Sequence, residues 1–500
     1  MIIDNTTDKP KKPRTPRKPK EVATTLELND PALNLIGEFA DSLGVEIYVV
    51  GGYVRDYFLG GGRKDYDFTV IGDPIEFAKK LGTRLGVFPV LFERFRTAML
   101  PWGEGQLEFV GARREEYEHG SRKPIVAEGG LADDLKRRDF TINAMAASLN
   151  KGGFGRLVDM FQGQKDLQEK LLRTPLEPGV TFRDDPLRMM RAARFASTLN
   201  FQIEDNAYKA LAENAEELKN ISQERITDEF LKILLSPAPS IGLRILHETG
   251  MLKIFFPELH ALGGVDTIET GRAQYGHKDV LQHSFKVVDN ISKTSGNVWL
   301  RFAALIHDIG KPRTKSFIPS TGWSFHGHEE VGARMTRSIF KKLKLPFDHI
   351  EYVERLIRLH QRPMALVDDE ITDSAVRRLA FHAGSDLADL FALCRADITT
   401  KNPNLTQKYL SNYDKVFQKT QDVQEKDKLR EFQSPVRGEE IMEVCGLGPC
   451  RAVGYIKNKI EEAILDGLIP NEYEAAKAYF LRAKEGWLDE MPANYIHRGN

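Results

Sequence analysis

The feature that most constrains this chain is a change of period near residue 160. Before it, short apolar runs alternate with helical patterns. Leu33, Ile36, Phe39, Ala40 and Leu43 sit at helical spacing between about Leu26 and Gly44. Val45-Glu-Ile-Tyr-Val-Val50 reads as a buried strand stopped by Gly51-Gly52. Asp67-Phe-Thr-Val-Ile71 and Leu107-Glu-Phe-Val110 read as further strands, with a helix predicted around Pro74 to Leu85 between them. Beyond Gln164 nearly everything has a 3.6-residue period and few strand signals. The expected fold class is therefore multidomain, a small mixed α/β unit ending near Asp159 followed by all-α regions. Five hundred residues exceed what one core spans. We expect an arm at 1–25, an α/β head at 26–160, a helical neck at 161–262, a helical unit at 263–402 and a helical tail at 403–500. Breaks are predicted at Gly263-Gly264, at Asn402-Pro403 and in the charged stretch Gln418 to Arg430.

Composition excludes several classes. The chain is 41% hydrophobic and 29% charged, and no apolar run approaches the ~18 residues of a membrane-spanning helix. After Met-Ile-Ile the N-terminus turns polar and basic, unlike a secretory signal. Three cysteines, Cys394, Cys445 and Cys450, with no CxxC, argue against a disulfide framework or a zinc ribbon. A cytoplasmic protein with no membrane association and no obligate protein partner is expected. The net charge of −1 hides an asymmetry: Lys9, Lys11, Lys12, Arg14, Arg17, Lys18 and Lys20 leave the remainder at −8. Proline at every third position, 10 to 19, favours an extended arm. Such an arm suits either a phosphate backbone or a solvated tail.

The first chemical constellation follows the first strand: Gly51-Gly-Tyr-Val-Arg-Asp56, Leu59-Gly60, then Lys64-Asp-Tyr-Asp-Phe68. Glycines at a strand end let the backbone approach a phosphate, and they also suit a plain tight turn. Asp65 and Asp67 are two apart at a strand start, so both point to one face. Such a pair repels itself unless a cation lies between, a natural Mg²⁺ site, although a solvated strand end is the commoner use. Glu108 on the later strand can bring a third carboxylate. Downstream, Asp134-Leu-Lys-Arg-Arg-Asp-Phe-Thr-Ile-Asn-Ala-Met145 concentrates charge, and Arg183-Asp-Asp-Pro-Leu-Arg-Met-Met-Arg-Ala-Ala-Arg-Phe195 opens a helix. In that helix Met189, Ala192, Ala193 and Ala196 form the apolar stripe, with Asp184, Arg188 and Arg191 expected together on the exposed face. Asp185 before Pro186 also reads as a helix cap.

Together these segments resemble the class II tRNA nucleotidyltransferase and bacterial poly(A) polymerase family. GGxVRD…LG…DxD is similar to its catalytic motif, RRDFTxNA to its ribose and triphosphate motif, and (E/D)DxxR to its nucleobase motif. The resemblance implies that Asp65 and Asp67 bind Mg²⁺ with Glu108 as a further carboxylate. It implies that Gly51, Gly52 and Arg55 hold the triphosphate, and that Arg138, Asp139 and Asn143 position triphosphate and ribose. Asp185 and Arg188, flanked by Asp184 and Arg191, would read the incoming base by its Watson–Crick edge. Asp184 stands where many relatives carry Glu. Phe92-Glu-Arg-Phe-Arg-Thr-Ala98 looks more like the CCA-adding branch than the Gly-Arg-Arg-Phe stretch of poly(A) polymerases. The implied substrates are CTP, ATP and tRNA. Poly(A) addition or a partial CC or A tail remain alternatives.

Eight of twelve histidines fall between His277 and His382. His307-Asp-Ile-Gly-Lys-Pro312 is preceded by His283 and followed by His328, His360 and Asp397. This order resembles the HD metal-dependent phosphohydrolase superfamily and implies His283, His307, Asp308 and Asp397 as one ligand set, with His328 and His360 completing a two-metal site. Mixed N/O ligation suits Mn, Ni, Co or Fe. Lys311 would face a substrate phosphate, and phosphomonoesters or 2′,3′-cyclic phosphates at RNA ends are the implied substrates. His277, His326, His349 and His382 are read as surface or core histidines. A helical body that only supports tRNA is one alternative; a phosphohydrolase with a head that merely binds RNA ends is another. Gly438-Glu-Glu-Ile-Met442, Gly446 to Gly454 and Leu465-Asp-Gly-Leu-Ile469 resemble the tRNA-holding tail of bacterial CCA-adding enzymes, with Arg451 and Lys457 as charges, or else a helix–turn–helix packed for stability.

Overall fold

The computed structural model describes residues 24–61, 66–116, 125–265, 279–318, 322–366, 372–427, 434–491 and 495. The N-terminal arm and His277 lie outside them. The chain divides into two units, Met1–Leu218 and Lys219–Asn500.

The first unit runs α1 (Pro31–Leu43), β1 (Glu46–Val50), α2 (Gly52–Leu59), β2 (Tyr66–Ile71), α3 (Pro74–Leu85), β3 (Val90–Phe92), β4 (Thr97–Trp102) and β5 (Gly105–Gly111). It continues through β6 (Arg113–Glu116), β7 (Ile125–Glu128), α4 (Leu131–Lys136), β8 (Met145–Ser148), β9 (Leu157–Asp159) and α5 (Gly163–Glu169). Local chemistry sets the helix ends. Asp30 accepts from the Ala32 N–H at 2.9 Å, Pro31 fills the first turn, and Gly44 stops α1 at φ 67°. Asp73, Pro74 and Gly86 do the same for α3.

Seven strands form one sheet in the order β3-β4-β5-β2-β1-β8-β9. Only β2 and β5 pair in parallel; every other neighbour is antiparallel. β6 and β7 form a separate ribbon. One face is closed by aromatic packing, Phe68 on Phe109 at 5.0 Å and Phe77 on Phe109 and Phe39 at 5.3 and 5.4 Å. On the other, Tyr48, Val50 and Ala146 pack with Leu135 of α4. That second face carries the chemistry.

The unit then becomes helical, with β10 (Leu171–Leu172), α6 (Pro178–Asp184), α7 (Leu187–Leu199), β11 (Gln202–Ile203) and α8 (Asp205–Glu213). In the second unit come α9 (Gln223–Leu235), α10 (Pro239–Glu248), α11 (Met251–Phe255), α12 (Pro257–His260), α13 (Val280–Ser292), α14 (Val298–Ile306) and α15 (Lys311–Thr314). The hairpin β12 (Ser316–Ile318) and β13 (Gly322–Ser324) precedes α16 (His328–Leu343), α17 (Ile350–Leu359), α18 (Arg362–Ala365), α19 (Asp373–Ala383), α20 (Leu387–Asp397) and α21 (Pro403–Asp427). α22 (Gly438–Cys445), α23 (Arg451–Leu465) and α24 (Tyr473–Glu490) close it around Ile441, Ile456, Ile460 and Phe480.

Two expectations are corrected. The region after Gln164 is not purely helical: β10 pairs with β11 and β12 with β13, in segments of two or three residues, too short to leave a period of two. The charged stretch from Gln418 holds no break as far as Asp427, because α21 continues to that residue; the rest of the stretch, to Arg430, lies outside the described residues. Tyr413, Val416, Thr420 and Val423 are buried along α21, a helical stripe that its many charges hide in a composition scan.

Arg301 shows how the helical unit is stitched together. Its buried guanidinium donates to the carbonyls of Leu234, Ser236, Ser292 and Ser295 at 2.6 to 3.2 Å. It thereby satisfies the ends of α9 and α13, where carbonyls lack helical partners and the dipole favours a cation.

Candidate functional sites

Parallel pairing of β2 with β5 sets Asp67 opposite Glu108. Both are half-buried. Burial, and then the charge of Asp67, raise the Glu108 carboxyl above its ordinary range, while Arg138 opposes the shift. Like charges on adjacent strands are unfavourable without a counter-ion, so this donor set fits an oxygen-seeking divalent cation. Asp65 lies outside the described residues.

Gly51 is required twice over. Its φ is 66°, which excludes most side chains, and a Cβ there would lie 2.7 Å from Nη1 of Arg138. Gly52 then opens α2. Arg138 is preset by fully buried Asp134, whose Oδ2 accepts from Nη2 at 2.9 Å and Nε at 3.2 Å. Thr69 Oγ1 donates to the same oxygen at 3.0 Å, and Arg137 pairs with the other. Burial pushes the Asp134 carboxyl up, but the two guanidiniums bring it down to about 2. Arg137 keeps a buried Nε–H with no acceptor.

A second chain of contacts begins at Arg55. Only 4% exposed, it donates from Nε to Asp56 at 2.7 Å and from Nη1 to Asn143 Oδ1 at 2.8 Å. Asn143 Nδ2 donates to Asp139 Oδ1 at 2.9 Å, and Asp139 Oδ2 receives Arg191 Nε and Nη2 at 2.7 and 2.6 Å. Burial opposes ionisation of Asp139, yet Arg191 and Asn143 bring its carboxyl to about 2. Phe195 lies under Arg55, Arg191 and Arg194, 4.2 to 5.3 Å from ring centroid to guanidinium carbon. Arg55, expected at the triphosphate, is in this geometry the group that orients Asn143.

The nucleobase candidates are divided. Asp184 ends α6 and is exposed, whereas Arg188 and Arg191 lie on α7, so the single face expected for the three does not form. Asp185-Pro186 interrupts the helix. Asp185 Oδ1 accepts from the Leu187 N–H at 3.2 Å, the capping contact its position suggested. Arg188 is pinned by the carbonyls of Thr181, at 3.1 Å, and of Arg137. Met189, Ala192, Ala193 and Ala196 are buried as the spacing predicted.

In the second unit all six expected ligands meet. His307 and Asp308 leave the end of α14, His328 opens α16, His360 follows α17, Asp397 ends α20, and His283 sits in α13. Asp397 Oδ1 is 2.7 Å from His283 Nε2 and 3.5 Å from His307 Nε2. Asp308 places Oδ2 3.2 Å from His307 and Oδ1 3.2 Å from His328, with His360 at 4.0 Å. Donor atoms of His283, His307 and Asp397, and of His307, Asp308 and His360, lie within 4.8 Å of one another.

Ring orientation is the strongest sign of a metal site. Nδ1 of His307, His328 and His360 each meets the carbonyl three residues earlier, Ala304, Phe325 and Ile357, at 2.8, 2.9 and 2.6 Å. Nδ1 of His283 meets Thr399 Oγ1 at 3.0 Å. Donation to those carbonyls leaves Nε2 of the three rings as the lone-pair nitrogen facing the carboxylates, as metal-binding imidazoles require. Without a cation, protons collect here. Burial lowers His307, but Asp308 and Asp397 raise it to about 10; burial and then His307 drive His360 down to about 4. Asp308 and Asp397 stay well below the ordinary carboxylate range despite burial, chiefly through His307 and His283. Lys311 Nζ lies 2.8 Å from Asp308 Oδ2. His326 is exposed, and His349 stacks on Trp299 at 4.2 Å, away from the cluster.

The residues missed from sequence are Asp134 and Phe195, both inside motifs already singled out. Asp134, four residues before Arg138 in the charged stretch, was the readable signal; nothing local marks Phe195. In the tail, Gly446 ends α22, Cys450 caps the start of α23, and Lys457 faces Glu461 at 3.9 Å. Among the described residues no helix is long and apolar enough to cross a membrane.

Comparison with known proteins extends these observations. The poly A polymerase head domain matches residues 47–173, the probable RNA and SrmB-binding site of polymerase A residues 200–262, and the HD domain residues 280–380. The A-adding tRNA nucleotidyltransferase of Deinococcus radiodurans is 32% identical over 458 residues, 89% of this chain and 96% of that protein. The CC-adding tRNA nucleotidyltransferase of Thermus thermophilus is 31% identical over 88% of this chain and 94% of its own. A solved tRNA nucleotidyltransferase complexed with a primer tRNA and an incoming ATP analog is 26% identical with a TM-score of 0.55, covering 77% of this chain and 98% of that one. With head, RNA-binding and HD segments in this order, and relatives alike over nearly their whole length, the chain belongs to the tRNA nucleotidyltransferase and poly(A) polymerase family, whose members depend on divalent metal ions.

Proposed function

We propose that the protein rebuilds the CCA end of tRNA from CTP and ATP. The observation that carries this reading is the register of Asp67 against Glu108 on the sheet face that also holds Gly51 and Arg138. Asp65, Asp67 and Glu108 would hold Mg²⁺, which takes oxygen ligands and keeps water and phosphate in its shell. When bound, the metal neutralises the triphosphate and lowers the pKa of the attacking hydroxyl. Gly51 and Gly52 let the backbone approach the phosphates. Arg138, fixed by Asp134, and the orphaned Nε–H of Arg137 offer donors for their charge. Asn143, held between Arg55 and Asp139, is set to meet the ribose. Arg188, pinned by two carbonyls, and Asp185 form a rigid acceptor–donor pair for the base edge. The tRNA 3′-oxygen attacks the α-phosphorus and pyrophosphate leaves; no protein nucleophile is needed. The tail, 403–500, is read as holding tRNA.

The second centre is read as a metal phosphohydrolase. His283, His307, Asp308 and Asp397 would hold one transition metal such as Mn, Ni, Co or Fe, with His328 and His360 completing a second position. When bound, such an ion supplies an activated water, and Lys311 is placed to meet a substrate phosphate.

The test uses tRNA transcripts lacking their 3′ end, with Mg²⁺ and CTP, ATP or both, read at single-nucleotide resolution. Growth by three nucleotides only with both substrates is expected, and no growth in Asp67→Ala. A partial tail is the second reading, favoured by the names of the two near-full-length relatives, one A-adding and one CC-adding. A lone A on a CC-ended transcript, or a stop at CC, would select it.

A further inference from the structure

GGxVRD and DxD each leave one position open, and this chain fills both with tyrosine, Tyr53 and Tyr66. Neither phosphate nor metal binding needs a phenol at either place. The two rings nevertheless stack on each other, with centroids 5.5 Å apart and planes inclined by 27°. Both hydroxyls turn to one oxygen: Tyr66 donates to Asp30 Oδ2 at 2.8 Å, and the Tyr53 hydroxyl lies 3.5 Å from the same atom. The other oxygen of Asp30 caps α1 through the Ala32 N–H at 2.9 Å. One turn further along α2, the Tyr57 hydroxyl accepts from the Glu27 N–H at 3.1 Å. The segment that carries these groups is itself tied down. Leu26 and Leu28 are buried, and the Leu26 N–H donates to the Gly155 carbonyl at 2.8 Å.

The position of Tyr66 gives this bracket its leverage. Tyr66 is the first residue of β2, opposite Leu107, and Asp67 is the second, opposite Glu108. Successive side chains of a strand point to opposite faces. The Tyr66 ring therefore lies with Phe68 and Phe109 in the aromatic layer, while Asp67 faces the chemistry. Asp67 and Glu108 repel each other across the strand pair, and a strand end is where such repulsion is most easily relieved by movement. The hydrogen bond to Asp30 opposes that movement one residue from the carboxylate. Burial, and then Asp30, push the Tyr66 hydroxyl up to about 12, so it remains a donor at any ordinary pH. Tyr53 directly follows Gly51 and Gly52, so the same carboxylate also bears on where the glycine turn lies.

We propose that Asp30 is a positioning residue of the first centre: by holding Tyr66 at the end of β2 and Tyr53 in the first turn of α2, it sets the metal-binding carboxylates against the glycine turn that meets the triphosphate. The proposal rests on the reading of Asp67 and Glu108 as the Mg²⁺ site. Support from behind keeps such ligands at productive spacing before any ion arrives.

The test uses the full chain and its Tyr66→Phe, Asp30→Asn and Asp30→Ala variants, with Asp67→Ala as the reference for the metal site. Tb³⁺, a hard oxygen-seeking ion, is excited directly, and the emission that Asp67→Ala removes is titrated. Incorporation of CTP into tRNA transcripts lacking their 3′ end is followed against Mg²⁺ and against CTP, and Tm is recorded for each chain. Tyr66→Phe keeps the ring and its stacking and loses the hydroxyl. The half-saturating concentrations of Tb³⁺ in emission and of Mg²⁺ in incorporation should each rise roughly tenfold, as when outer partners of metal ligands are removed. The KM for CTP at saturating Mg²⁺ should stay within about twofold. Asp30→Ala, which releases Tyr53 as well, should also raise the KM for CTP. Asp30→Asn, whose amide oxygen still caps α1, should shift less than Asp30→Ala. A lowered Tm with both half-saturation values unchanged would reduce the bracket to a structural tie and overturn the proposal. A shifted Tb³⁺ value in a chain that extends no transcript would keep Asp30 as a positioning residue and remove the nucleotidyl-transfer reading. Emission indifferent to Asp67→Ala would remove the metal site and the proposal together.

Discussion

The chain carries two candidate metal centres, and they are built on opposite principles. In the first unit the donors are carboxylates on neighbouring strands of a sheet, Asp67 beside Glu108, and the surrounding chemistry is cationic: Arg137 and Arg138 on Asp134, Arg191 on Asp139. In the second, four imidazoles and two carboxylates meet, most of them where helices begin or end, and the anchors are backbone carbonyls. A sheet face holds side chains at fixed spacing but leaves one side open, which suits a large triphosphate. Helix ends converge on a point and bury it, which suits a tightly held ion. Oxygen-only donors favour a hard, exchangeable cation, and mixed nitrogen and oxygen donors a transition metal. The difference teaches that ligand type and scaffold are matched: the open centre is wired by salt links that preset arginines, the closed one by hydrogen bonds that preset rings.

The largest expected effect separates the two. Asp67→Ala should reduce nucleotide incorporation at least roughly a thousandfold while leaving transition-metal content and p-nitrophenyl phosphate hydrolysis in place. His307→Ala should do the reverse. If either substitution abolishes both activities, the centres are not independent and the comparison breaks. Next in size, Asp308→Ala should weaken Mn²⁺ binding by more than about a hundredfold, since even outer partners of metal ligands are worth 10–100-fold. Replacing Thr399 by Val, which removes the contact to His283 Nδ1, should fall in the lower half of that range. Metal content after dialysis distinguishes them.

Much of this was legible in the sequence, for identifiable reasons. Asp67, Glu108 and the six histidine and aspartate ligands sit in short, ordered motifs whose chemistry survives without coordinates. Capped helices such as 74–85 were legible because Asp73, Pro74 and Gly86 mark their ends locally. What escaped depends on partners far apart in the chain. Phe195 became a platform only because Arg55, some 140 residues earlier, folds over it. The separation of Asp184 from Arg188 turned on a helix break that a helical period across Asp185-Pro186 concealed. The strands β3 and β8 were missed because one lies at a sheet edge with exposed Val90 and Phe92, and the other is Met-Ala-Ala-Ser, which favours no strand.

The wiring of the two centres predicts different pH sensitivities of the unloaded protein. Asp134 and Asp139 titrate at about 2 instead of the ordinary 3.8. Their contribution to stability is therefore present above pH 3.8 and lost as pH falls towards 2. His307 is held at about 10 against 6.5. Its contribution is complete below pH 6.5 and lost as pH rises towards 10, whereas neutral His360, lowered to about 4, works against stability below pH 6.5. Acid should loosen both units, the first through Asp134 and Asp139 and the second through Asp308 and Asp397, whereas the alkaline loosening should be confined to the second, seen by hydrogen exchange at each extreme. Asp134→Ala, which strands two arginines, should cost about 3–5 kcal/mol and remove its own share of the acid arm.

The smallest effect is the most discriminating. In the closed centre a transition metal must displace the proton that Asp308 and Asp397 hold on His307. One proton released per ion makes affinity rise about tenfold per pH unit between pH 6 and 9. Calorimetry of Mn²⁺ binding in buffers of different ionisation enthalpy counts that proton directly. The open centre has no such competitor: Glu108, though raised by burial and Asp67, is a carboxylate neighbouring Arg138. Mg²⁺-dependent incorporation should therefore be nearly flat in apparent metal affinity over the same range. Equal slopes at both centres would mean that a nitrogen donor, and not carboxylates alone, governs the metal in the first unit. A flat Mn²⁺ profile would mean that His307 enters the cluster already neutral, and that the carbonyl-anchored rings, not the carboxylates, set its protonation.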